Sequence, residues 1–227
     1  VALGDSYAAG QGGGRYTDAC LRSPNGYPAL LDAVKGTNLL RNVSCAQATT
    51  GVVNATQLSA LNRGTTLVTL TVGGNDLNVA GVAAACTLGD QTQCLTAIGD
   101  ATARLSGLAG SLASTYSQVA AAAPNARVVV TGYPLLFAPS TDPQLGPLID
   151  QINGATVLLN QTIQGVVAQA QAARPNANIE YVDVSAAFAG HALGNDVPWV
   201  FFAGPDAFHP APAGYQALAV YIKAALL

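Results

Sequence analysis

The chain has 227 residues, half of them apolar and only 9% charged, with a net charge of −3. That composition excludes a disordered chain, which needs low hydrophobicity and high charge. It also excludes a nucleic-acid or anionic-membrane footprint, because the two Lys and seven Arg stand singly rather than in a cluster. No apolar run approaches the roughly 18 residues of a membrane span; the greasiest stretch, Val197 to Ala203, is short and contains a Pro.

In chain order, a first short strand over Val1-Ala2-Leu3 runs into Gly4-Asp5-Ser6, and a helix is expected from Tyr27 to Val34. A second strand reads Leu39 to Cys45, followed by a helix over Val52–Asn62. A strong strand, Thr66 to Val72, stops at Gly73-Gly74-Asn75-Asp76. A long Ala/Leu-rich helix covers Thr92–Ala123, and Pro124-Asn125 breaks it. The fourth strand is Arg127–Thr131, ending at Gly132-Tyr133-Pro134, and the next helix spans Gln144–Ala173, closed by Arg174-Pro175-Asn176. Ile179–Val184 is the fifth strand and Pro210–Leu227 the last helix, with Pro where a first turn tolerates it. Strands alternating with helices, with no linker or repeat, predict one α/β domain: a three-layer α/β/α sandwich on a five-stranded parallel sheet. In such sheets ligands bind outside the carboxyl ends of the strands. Ser6, the Cys45–Thr50 segment and Asn75 all follow such ends, so they can converge although they are distant in sequence.

Only two histidines exist, so any imidazole base is His191 or His209. Asp206 stands three residues before His209, on a turn entering a helix, where its carboxylate could accept the Nδ1–H and leave Nε2 to take a proton from a serine. His191 has no acidic neighbour within three residues and reads as a loop or surface histidine. Ser6 sits on a sharp turn after a strand, as a nucleophile requires, although Gly-Asp-Ser is also ordinary turn and cap chemistry. The Gly-x-Ser-x-Gly elbow of the standard α/β-hydrolases is absent. Asp76 reads as a cap for the helix that follows it. The apolar Trp199-Val200-Phe201 segment before the Asp–His pair, and Tyr133 after the fourth strand, are candidate walls of an acyl pocket or ordinary core. Four cysteines with no CxxC pair and no histidine at zinc spacing suggest two structural disulfides of an exported protein whose leader is not in this sequence; three pairings are open.

Gly4-Asp5-Ser6, Gly73-Gly74-Asn75-Asp76 and Asp206-x-x-His209 resemble, in order and spacing, three blocks of the SGNH hydrolases, also called the GDSL lipase/esterase family. Each motif is weak alone; the ordered set covers the chain from end to end. The four cysteines and Ala-rich build are most similar to the family's secreted actinobacterial lipases, esterases and phospholipases A1. The resemblance implies a flavodoxin-like fold and pairs Cys20 with Cys45 and Cys86 with Cys94. It implies Ser6 as nucleophile, His209 as general base and acid, Asp206 as the residue that orients His209 (a main-chain carbonyl does so in some members of the family), and an oxyanion hole from Ser6, Gln47 and Asn75. No metal or cofactor is implied. The partner implied is a small-molecule or lipid acyl ester, and the expectation is a secreted monomer without nucleic-acid or integral membrane contact. Two departures stand out: Tyr7 replaces the family's Leu after the serine, and Gln47 falls where a glycine is expected. Any residue but proline supplies an N–H, but a glutamine does not readily take positive φ, so either the backbone there suits a non-glycine residue or the oxyanion hole is altered. The same machinery would serve a carbohydrate acetyl esterase or an acyltransferase, and an inactive binding module on the same fold is a further alternative.

Overall fold

The computed structural model describes residues 1–174 and 177–227. Four strands, β1 (Ala2–Gly4), β2 (Leu67–Thr71), β3 (Arg127–Thr131) and β4 (Ile179–Val182), form one parallel sheet in the order β1-β2-β3-β4. β2 and β3 are rich in β-branched residues and buried beyond their first residue, as parallel strands covered on both faces must be. The helices are α1 (Ser6–Ala9), α2 (Tyr27–Asp32), α3 (Thr50–Val52), α4 (Val79–Leu88), α5 (Gln91–Ala122), α6 (Leu145–Ala173) and α7 (Pro212–Leu226). Val128 packs with Tyr116 of α5 and Val166 of α6, whereas Thr131 lies with Tyr27 of α2 and with Leu218 and Ile222 of α7. Residues three apart on a strand point to opposite faces, so helices cover both sides of the sheet.

The expected second strand, Leu39–Cys45, is not formed. The segment runs parallel beside β1 and makes a single bridge, Ala2 to Asn42, with main-chain bonds from Ala2 to Arg41 (2.9 Å), Val43 to Ala2 (3.0 Å) and Cys45 to Gly4 (3.0 Å). The ladder is cut at Gly4, whose N–H is taken by the buried Gln57 side chain: Oε1 accepts it at 2.7 Å while Nε2 donates to the Gly4 carbonyl at 2.9 Å. With this segment counted, the spatial order is 39–45, β1, β2, β3, β4, and the winding of the chain reverses at β1. That reversal is where ligand crevices open in such sheets.

Two other elements depart from expectation. The helix over Val52–Asn62 is broken into α3, a π-turn (Val53–Gln57) and a 3₁₀ turn (Leu58–Ala60), which places Gln57 against Gly4. The region before Thr92 holds α4, which the sequence reading left unassigned. Gly89 ends α4 and an Asp90–Gln93 capping box starts α5, with reciprocal bonds of 2.8 and 3.0 Å. The Cys86–Cys94 disulfide spans that break, and Cys20–Cys45 ties the 39–45 segment to the loop after α1. Among the described residues no helix is long and apolar enough to cross a membrane. Pro175 and Asn176, expected to close α6, lie outside the described residues.

Candidate active site

Ser6 opens α1 directly after β1. Gly4 makes the turn possible: it sits at φ +127°, and a Cβ there would fall 2.1 Å from the Thr71 carbonyl oxygen. Asp5 caps the helix, its Oδ1 accepting the Tyr7 N–H at 2.9 Å. The Ser6 Oγ is thereby held 2.8 Å from Nε2 of His209, 203 residues away.

His209 Nδ1 bonds to the main-chain carbonyl of Ala207 at 2.9 Å. This corrects the expected role of Asp206. Its carboxylate does not hold the ring; Oδ1 instead accepts from the Tyr16 hydroxyl at 2.6 Å, and that hydroxyl accepts from Gly12 N–H at 2.8 Å. The turn that carries both residues is closed by main chain, His209 N–H donating to the Asp206 carbonyl at 3.0 Å. Burial lowers the His209 pKa, and the Ala207 carbonyl and the nearby Asp206 charge pull it partly back. The imidazole is therefore biased toward the neutral form that can accept a proton.

Asn75 follows β2. Its Nδ2 donates to the Ala48 carbonyl at 3.0 Å, which uses one of its two N–H groups and leaves the other for a ligand. Asp76 does not cap the helix after it, as the sequence suggested. It reaches back to the start of α3, accepting Thr50 N–H at 3.0 Å and Thr50 Oγ1–H at 2.6 Å. These bonds lock the Cys45–Thr50 segment to the Gly74–Asp76 turn. Within that segment Gln47 stands at φ +65°, a conformation the sequence reading held unfavourable for a glutamine. Gln47 is exposed and is not among the residues that line the cavity beside Ser6.

Asp5, Ser6, Asn75, Tyr133 and His209 share one cavity of about 50 Å³, closed by the apolar residues Val79, Ala80, Ala83, Pro134, Leu136 and Phe208. Tyr133 is thus in the wall, but its hydroxyl is engaged, donating to Asp5 Oδ2 at 2.5 Å. Burial raises the Asp5 pKa to about 7, a shift opposed by the bonds from Tyr133 and from Tyr7 N–H. Trp199, Val200 and Phe201 do not line this cavity. They run antiparallel to the histidine segment, with Phe201 N–H donating to the His209 carbonyl at 3.0 Å and Ala211 N–H to the Trp199 carbonyl at 2.7 Å. Their role is to carry the main chain of His209. A larger apolar cavity of about 690 Å³ lies between α5 and α6, beside the amino ends of β3 and β4. Neither histidine and no cysteine lines it, so size does not mark the chemistry. Among the described residues no cluster of His, Cys, Asp and Glu could hold a metal ion.

A parallel α/β sheet with a serine–imidazole pair at the carboxyl end of its first strand has the layout of an ester hydrolase. The comparisons agree. Residues 2–217 match the GDSL-like Lipase/Acylhydrolase family. A lipase of Streptomyces rimosus is 35% identical over 94% of this chain and 81% of its own. Lipase 1 of Streptomyces coelicolor gives the same figures, 35%, 94% and 81%. The crystal structure of the extracellular lipase from Streptomyces rimosus superposes with a TM-score of 0.87 at 33% identity, covering 99% of this chain and 97% of that one. Phospholipase A1 from Streptomyces albidoflavus gives 0.86 at 35% identity, covering 98% and 97%. The chain belongs to the GDSL-like lipase/acylhydrolase family and is a carboxylic ester hydrolase.

Proposed function

We propose that the protein is a secreted serine esterase that cleaves the acyl ester of a lipid through a Ser6–His209 pair. The observation that carries this reading is the 2.8 Å contact between Ser6 Oγ and His209 Nε2. Nε2 takes the serine proton as Oγ attacks the ester carbonyl, and the C=O π electrons move onto oxygen. The tetrahedral oxyanion is met by the N–H groups of Ser6 and Gln47 and the free amide N–H of Asn75. The imidazolium then gives its proton to the departing alcohol, leaving an acyl-serine. Water, deprotonated by the same imidazole, repeats the sequence and releases the acid. The Ala207 carbonyl accepts Nδ1–H throughout and fixes the tautomer that presents a bare Nε2.

The names of the relatives support a lipid ester, and both disulfides suit an oxidising compartment. The small cavity beside Ser6, about 50 Å³, favours a second reading in which the acyl group is short, as in a carbohydrate acetyl esterase. Labelling with a fluorophosphonate, followed by turnover of p-nitrophenyl esters from acetyl to palmitoyl, tests both. The expected result is labelling at Ser6 and loss of turnover in Ser6→Ala. Hydrolysis surviving Ser6→Ala rejects the mechanism, a steep acetyl preference selects the second reading, and an unlabelled wild type means an inactive binding module.

A further inference from the structure

Tyr133 occupies the seam between the two halves of the site. Its buried hydroxyl donates to Asp5 Oδ2 at 2.5 Å and accepts from Gly74 N–H at 2.9 Å. Asp5 immediately precedes Ser6, and its second oxygen holds Tyr7 N–H at 2.9 Å. Gly74 immediately precedes Asn75. One phenol oxygen therefore touches the neighbour of the nucleophile and the neighbour of the oxyanion-side amide.

The phenol is itself held on every side. Its main-chain N–H donates to Asn160 Oδ1, and its carbonyl accepts from Asn160 Nδ2, both at 2.8 Å. Its ring meets Tyr7 edge-on at 5.2 Å. Gly74 leaves the space for it: a Cβ at that position would lie 3.2 Å from the Tyr133 hydroxyl oxygen. The hydroxyl is no acid or base in the reaction, since burial and the Asp5 charge raise its pKa well above the ordinary tyrosine value.

We propose that Tyr133 is a positioning residue: its hydroxyl sets the spacing between the Asp5–Ser6–Tyr7 turn and the Gly74–Asn75 turn, so that nucleophile and amide converge on one carbonyl. The inference rests on the reading of Ser6, His209 and Asn75 given above. The leverage is geometric, because a displacement of about 1 Å at a reacting centre can cost on the order of 100-fold in rate. A tyrosine that merely filled the core would lower stability without a selective loss of kcat.

The test is a double-mutant cycle on p-nitrophenyl ester hydrolysis with wild type, Tyr133→Phe, Asn75→Ala and the pair. Tyr133→Phe is expected to lower kcat about 10- to 50-fold with KM within about three-fold. In the Asn75→Ala background the same change should cost less than about three-fold, because an amide that is gone cannot be misplaced. Equal losses in both backgrounds, or a fall in melting temperature with kcat unchanged, overturn the proposal. If Tyr133→Phe does not fold, Gly74→Ala presses on the same contact from the other side, with the same expected kcat loss and the same dependence on Asn75; an equal cost in both backgrounds again overturns it. Ser6→Ala separates the two levels. Turnover that survives it means the underlying reading has failed, whereas a dead Ser6→Ala beside an unimpaired Tyr133→Phe removes only the role of Tyr133.

Discussion

The two histidines are held alike and sit in different worlds. His209 Nδ1 bonds to the Ala207 carbonyl at 2.9 Å, and His191 Nδ1 to the Val197 carbonyl at 2.8 Å. Neither ring is held there by a carboxylate. They differ at the other nitrogen and in what surrounds the ring. Nε2 of His209 meets Ser6 Oγ in a cavity, and burial lowers its pKa. His191 lies flat on Trp199, the rings 3.6 Å apart and 5° from parallel. Orientation by a main-chain carbonyl is therefore a general way to hold a histidine. On the proposed mechanism His209 is the base because it stands at the carboxyl end of β1, opposite the Ser6 hydroxyl.

The largest effect should separate the pair outright. His209→Ala is expected to lower kcat/KM by about 10⁴-fold or more, the cost of removing the base from a serine site. His191→Ala should leave turnover within about two-fold and lower stability by about 1 kcal/mol, the scale of one aromatic stack. Ester kinetics and thermal melts on the two variants check this. Comparable rate losses in both would break the contrast.

A smaller effect tests how His209 is held. An orienting carboxylate changed to its amide typically costs about 10⁴-fold, because the wrong tautomer is fixed. Here Asp206 faces Tyr16 and the Ala207 carbonyl does the orienting, so Asp206→Asn should cost only about three- to ten-fold. Its pH signature has a definite sign. The Asp206 charge favours the imidazolium and raises the His209 pKa, against the larger lowering by burial. Removing that charge lowers the pKa further, so the acid limb of kcat/KM should move to lower pH. Asp5, whose pKa is about 7, owes none of its shift to Asp206 and titrates alike in both enzymes. A limb that stays put, or moves up, contradicts the assignment of His209 as the titrating base.

These contrasts track what the sequence could reveal. Ser6, Asn75 and His209 are legible because the roles proposed for them reside in side chains and each lies on or beside a recognisable turn. The Ala207 carbonyl was not, since a main-chain acceptor has no letter of its own, and Asp206 was the visible carboxylate nearby. β2 and β3 are legible from their β-branched runs. The edge segment 39–45 has only Val43 as a β-branched residue, and its ladder is interrupted at Gly4 by Gln57, a side chain 53 residues further along that takes a strand's place. No local pattern announces such a contact. Tyr133 was read as a pocket wall, and its bonds to Asp5 and Gly74 emerge only when β1, β2 and β3 lie side by side.

The smallest effect concerns the third oxyanion donor, and here main chain rather than side chain is again decisive. Gln47 stands at φ +65°, so its N–H already points where a glycine in the same conformation would aim it. Gln47→Gly should then change kcat by less than about three-fold, far below the 10²–10³-fold tied to losing such a donor. Stability should rise slightly. A left-handed conformation costs a non-glycine residue about 1–2 kcal/mol, and the extra freedom of an unfolded glycine offsets about 0.4–1 kcal/mol of it. The net gain expected in a denaturant melt is about 0.5–1 kcal/mol. A gain of ten-fold or more in kcat would mean instead that the glutamine holds the donor out of place, and that the strained turn limits the rate as well as the stability.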